Sequence, residues 1–144
     1  MAVSAGVTDV GPMIQLAIAP VFLLTAVGTL LGVHTTRLGR AVDRTRMLQE
    51  RQTAATEEAA GANVRELKVL RRRMRLIYLS ITLEVVCALF VGLTIVTAFA
   101  DALVDVNLSR LIQSFFVLAM IAFLASLMVF LREIFLAVRV QYET

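Results

Sequence analysis

One ionisable side chain stands where water is scarce. Glu84 lies seven residues into an apolar run that begins at Ile77, about 10 Å below one end of that run at 1.5 Å per helical residue. A carboxyl at such depth is costly, on the order of 3 kcal/mol on insertion scales. Two chemistries fit it: an ion- or proton-handling group, or a structural carboxyl that ties helices together by hydrogen bonds. The same depth in the neighbouring apolar runs is occupied by Thr25, Thr29 and Ser126, whose hydroxyls suit either role. The first run carries a second pattern. Thr25, Thr29, Thr36 and Arg40 share one helical face, with Gly32 beside them, and Gly28 and Gly32 form a small-xxx-small pair. Such a face permits close helix packing. It also suits a pore wall that is weakly polar and opens onto arginines, with Gln15 at the outer mouth and Phe22 or Val33 as an apolar gate that closes by dewetting. Three helices enclose no useful channel, so a pore requires several copies. Gln113, near the outer end of its own run, is interfacial or links helices.

Other chemistry is poorly provided for. Metal binding needs convergent ligands, and the chain has one histidine, His34, and one cysteine, Cys87, on different runs at different depths. A lone cysteine forms no intrachain disulfide and reads as a small buried hydrophobe. His34 falls at the inner end of the first run, as a pH-responsive group or an interfacial side chain. There is no glycine-rich phosphate loop, nucleophile elbow or catalytic carboxylate pair. No enzymatic activity and no cofactor are expected.

The elements that position these residues follow from hydropathy. The chain has 144 residues, 59% of them hydrophobic, where a soluble domain has about 45–50%. Apolar runs cover Met13–Val33, Ile77–Ala100 and Leu111–Leu131, each reaching the roughly 20 residues that cross a bilayer. No lysine or arginine precedes Arg37, so the first run lacks the basic flank of a secretory leader and reads as a retained helix. The net charge of +3 is unevenly spread: residues 34–75 hold eleven of the fourteen basic side chains against five acidic ones, a net +6. This segment is short enough for the positive-inside rule. It and the carboxyl terminus are expected in the cytoplasm, with the amino terminus and the 101–110 loop outside. Asp9, Asp101 and Asp105 then make the outer face acidic, as solvated loop residues or, in an oligomer, as a field that concentrates cations. Arg37, Arg71, Arg72, Arg73 and Arg75 form a basic cluster expected to face anionic lipid headgroups. With no aromatic residues interleaved, nucleic acid is not an expected partner.

The basic segment reads as helical. Leu38, Ala41, Thr45 and Leu48 recur at spacings of three and four, as do Leu67, Leu70, Met74 and Ile77, which is the seam of two packed helices. A turn near Thr53–Ala55 gives arms of equal length, with Thr56 as cap and Glu57 and Glu58 favourably placed for the helix dipole. The alternative is a turn at Gly61 with Asn63 as cap and Glu66 completing a capping box. Gly11-Pro12 is expected to break the chain just before the first helix, Pro20 to kink it or loosen one turn, and Asn107 and Ser109 to cap the third.

The stretches IQLAIAPVFLLTAVGTLLGVHTTRLGRAVDR, LRRRMRLIYLSITLEVVCALFVGL and FFVLAMIAFLASLMVFLREI resemble a bacterial family of small three-span membrane proteins that is catalogued as a domain of unknown function. The resemblance covers about Ile14–Ala137. It is most specific at the Ala19-Pro20 step, the Arg37–Arg44 segment, the Arg71–Arg75 cluster and the Phe130–Glu133 end. It implies a bacterial inner membrane and brings no reaction and no catalytic residues.

The resulting expectation is an all-α, single integral membrane domain with three transmembrane helices and a basic cytoplasmic helical hairpin between the first two. Its function is a homo-oligomeric pore lined by the first helix; the alternative is a non-conducting scaffold or regulator whose hairpin binds a partner or anionic lipid. A third possibility is a membrane enzyme or proton carrier centred on Glu84.

Overall fold

The computed structural model describes residues 10–52, 57–103 and 107–142, and all chain inside those bounds except 107–108 is helical. Helix α1 spans Val10–Gln52, α2 spans Glu57–Leu103 and α3 spans Ser109–Tyr142. Within them, Ile18–Arg51, Asn63–Asp101 and Ser109–Ala137 are long and apolar enough to cross a membrane, the make-up of a multi-pass membrane protein. No strand occurs among the described residues.

The helices outrun the apolar runs at several ends. Helix α1 already includes Gly11, where the sequence suggested a break, and takes Pro12 into its first turn, the place that suits a proline. Proline is tolerated in a first turn because that turn's N–H groups have no helical partner anyway. Pro20 lies inside the same continuous helix and is buried. Gly61 lies inside α2, so it is not a turn. The α1–α2 turn near Thr53–Ala55 and its Thr56 cap lie outside the described residues. Between α2 and α3, the Asp101 carboxylate accepts the Leu108 N–H at 2.7 Å and the Asn107 side-chain oxygen accepts the Ser109 N–H at 3.1 Å. These bonds occupy donors that the start of α3 would otherwise leave unsatisfied.

Two compact units divide the chain, one from residues 1–30 and 84–124, the other from 31–83 and 125–144. In the first, α2 buries Glu84, Cys87, Val91 and Thr94, while α1 buries Pro20 and Val27. Helix α3 adds Ala119 and Ala122, and Phe90 meets Phe115 in a tilted pair at 6.2 Å. In the second, α1 buries His34, Ala41 and Leu48, α2 buries Leu67, Leu70, Ile77 and Ser80, and α3 buries Ser126 and Glu133. The spacings of three, four and seven are those of helices packed along a heptad seam. Leu48, Leu67 and Leu70 form one apolar cluster, and Arg44 pairs with Glu66 at 2.8 Å beside it. That ion pair is half-exposed and worth at most about 1 kcal/mol; the leucines contribute more.

The outward surface is apolar. Phe22, Leu89, Val96, Ile121, Met128 and Phe135 are all more than half exposed. In water so many exposed large hydrophobic side chains would drive association; in lipid they meet a matching solvent.

Candidate functional site

The best-built polar site is in the second unit and is centred on Glu133. Its position follows from helical spacing. On α1, His34, Arg37 and Ala41 share a face; on α2, Arg73, Ile77 and Ser80 do; on α3, Ser126, Phe130 and Glu133 do. Each face carries one charged residue at the end of an apolar run, so packing the three faces brings the charges together.

Glu133 is 1% exposed, yet each of its oxygens meets a guanidinium. The Arg37 NH2 group lies 2.8 Å from Oε2. Arg73 donates from Nε at 3.3 Å and from NH2 at 3.1 Å, both to Oε1. One carboxylate thus joins α1, α2 and α3. Burying a carboxylate alone would cost several kcal/mol, which charge-assisted hydrogen bonds offset only when the partners are held in place. Phe130 helps hold them. The Arg37 guanidinium carbon stands 5.2 Å from the Phe130 ring centroid, within range of a cation–π attraction. His34 packs edge-on against the same ring at 4.6 Å. Two helical turns away, the buried Ser126 hydroxyl donates to the Ser80 carbonyl at 3.3 Å, tying α3 to α2.

The residues singled out in the sequence fall into separate places. Glu84 is fully buried in the first unit. Thr25 and Thr29 are exposed, and each spends its only hydroxyl proton on its own helix, on the carbonyls of Val21 at 3.2 Å and Thr25 at 3.0 Å. Neither donates to Glu84. The face of α1 that carries Gln15, Phe22, Thr25, Gly28, Thr29, Gly32, Thr36 and Arg40 is exposed at every one of these positions. Thr36 likewise donates to the Gly32 carbonyl at 2.8 Å, and a methyl group added at Gly28 or Gly32 would meet nothing within 4 Å. His34, read as interfacial, is fully buried, because α1 continues as a packed helix beyond the apolar run. The basic cluster divides: Arg71, Arg72 and Arg75 are exposed, whereas Arg37 and Arg73 turn to Glu133.

Glu133 is the residue that charge counting passed over. Arg132 precedes it, so the pair reads as the neutral end of an apolar run. The available signal was the company it keeps on its face: Ser126, Phe130 and Ala137, none of them charged. Among the described residues, no group of three or more His, Cys, Asp or Glu side chains is placed to hold a metal ion.

The family model described as Protein of unknown function (DUF2721) matches residues 17–141. This range includes all three members of the Arg37–Glu133–Arg73 cluster. No curated protein and no solved structure matches the chain.

Proposed function

We propose that the chain, which belongs to the DUF2721 family of proteins of unknown function, acts as a homo-oligomeric, non-enzymatic pore of the bacterial inner membrane, with α1 lining the path. The observation that carries this reading is the α1 face itself. A single chain leaves Thr25, Gly28, Thr29, Gly32 and Thr36 uncovered. By contrast, the exposed positions in the apolar runs of α2 and α3 are mainly Val, Leu, Ile, Phe and Met, with Tyr78, Thr82, Gln113 and Ser114 the polar ones among them. A weakly polar stripe gains little from lipid and more from facing water or another copy. Each threonine hydroxyl retains lone pairs after bonding its own helix, which suits transient contact with water or a cation. Phe22, at 72% exposure, supplies an apolar constriction of the kind that gates by dewetting. With the basic segment and carboxyl terminus cytoplasmic, Arg40 lies at the inner mouth.

The test is a cysteine at Thr29 in a Cys87→Ala background, reconstituted in vesicles. A membrane-impermeant thiol reagent is expected to label it and to reduce ion flux. Labelling by lipid-soluble reagents alone would end the pore reading, as would a monomeric mass in lipid nanodiscs.

A second reading is favoured by the exposure of Arg71, Arg72 and Arg75. Here the basic segment is a cytoplasmic helical hairpin that docks a partner or anionic lipid, and the protein is a non-conducting scaffold or regulator. Its mark is tight association with anionic lipid and no ion flux.

A further inference from the structure

Arg37 and Arg73 do not spend all their hydrogen-bonding capacity on Glu133. A guanidinium has five N–H donors in a rigid fork. The contacts to Glu133 use one nitrogen of Arg37 and two of Arg73. Arg73 donates twice to one oxygen and Arg37 approaches the other with a single nitrogen, neither as a full parallel fork, so each retains donors directed elsewhere. Their side chains are 29% and 30% exposed, against 1% for Glu133. The site therefore has a buried anionic floor and a cationic rim open to the surroundings, with two positive charges over one negative.

The rim lies at headgroup depth. Arg37 follows the first apolar run by four residues, Arg73 precedes the second by four, and Glu133 follows the third by two. Phe130 restrains the Arg37 plane from one side. Glu66, on the same helix as Arg73, is engaged by Arg44.

We propose that the Arg37–Arg73 pair, set side by side by Glu133, is a specific site for the phosphate of an anionic membrane lipid. The site rests on the reading of this chain as membrane-spanning and gives a particular place to the lipid contact that the basic segment makes diffusely. Glu133 is its positioning residue: it does not touch the phosphate but fixes the two forks that do. Arginine is required because its planar fork matches phosphate geometry, which lysine lacks. Charge complementarity selects the occupant. The rim has surplus positive charge and open donors, and the only anions concentrated at this depth are lipid headgroups.

The experiment measures phosphatidylglycerol and phosphatidylcholine retention on the full-length protein by native mass spectrometry, with thermal unfolding in mixed micelles alongside. Wild type is expected to retain phosphatidylglycerol and to unfold at a higher temperature with it than with phosphatidylcholine. The double variant Arg37→Lys/Arg73→Lys conserves charge and is expected to lose about tenfold in affinity, the size of one charge-assisted hydrogen bond. Arg132→Lys, at an exposed arginine next to Glu133 on α3, is expected to match wild type. Glu133→Gln removes a negative charge and is nonetheless expected to weaken binding. An equal loss with Arg132→Lys, or tighter binding by Glu133→Gln, would mean diffuse electrostatics and overturn the proposal. So would displacement of the lipid by millimolar inorganic phosphate, which would make this a free-anion site. If the lysine pair at positions 37 and 73 does not fold, wild-type selectivity between the two lipids decides alone, and its absence overturns the site. A protein that inserts into vesicles but shows no selectivity fails only here. One that does not insert at all fails the membrane reading beneath it.

Discussion

Replacing both Arg37 and Arg73 with alanine is expected to cost about 3–5 kcal/mol of stability, the range for stranding one member of a buried charge cluster. The penalty arises from the asymmetry of exposure. Glu133 is 1% exposed and loses both of its charge partners at once, whereas the two arginines are each about 30% exposed. Removing the carboxylate instead, by Glu133→Ala, leaves guanidiniums that can turn outward to headgroups or water. That variant should lose less than the double arginine variant. A third variant separates pairing from packing. Arg37→Leu/Arg73→Met/Glu133→Leu removes all charge while keeping volume and should recover most of the loss, since apolar replacement of a buried ion cluster is often neutral or better. Reversible unfolding in mixed micelles, followed by helicity, ranks the three. If the double alanine variant keeps the wild-type midpoint, the carboxylate is not held as described.

The same cluster shows what the sequence made legible and what it hid. Helix number and the approximate spans could be read from hydropathy alone, because 20 apolar residues in a row have few alternatives. Of the eight seam positions with spacings of three and four, Ala41, Leu48, Leu67, Leu70 and Ile77 are buried, while Leu38, Thr45 and Met74 are half-buried. Helix ends are legible to within a few residues: α2 ends at Leu103, three residues past its apolar run, since hydrogen bonding continues a helix where hydropathy no longer reports on it. The harder problem was Glu133. An isolated acid such as Glu84 stands out because nothing charged surrounds it in sequence. Glu133 follows an arginine and sits at a membrane edge, where charge is ordinary. Its significance depends on two arginines 60 and 96 positions away, and only packing the helix faces brings them within reach. The threonines misled for the opposite reason. Thr25 and Thr29 matched Glu84 in depth but not in facing, and a hydroxyl in a helix finds the carbonyl four residues back before any distant partner.

Ser126 provides the other large expected effect, and it depends on size more than polarity. Its side chain is fully buried, and its oxygen lies 3.3 Å from the Ser80 carbonyl of α2. Backbone is therefore close enough to Ser126 that nothing longer than a hydroxyl fits without moving a helix. Small residues at such contacts are what let apolar helices approach in lipid, where no hydrophobic force drives them together. Ser126→Ala keeps the close approach and loses one interhelical hydrogen bond, worth about 0.6 kcal/mol in a membrane setting. Ser126→Leu must push α3 away from α2 or force strained rotamers, at about 1–3 kcal/mol. Separation at this level also carries to Glu133, two turns along α3, whose oxygens sit within 3.3 Å of both arginines with no slack to absorb a shift. Ser126→Leu should therefore lower the unfolding midpoint well below that of Ser126→Ala, and adding Glu133→Ala should cost less in its background than in wild type, because the two losses share one displacement. Additive losses would separate the serine contact from the carboxylate and leave each helix face to act alone.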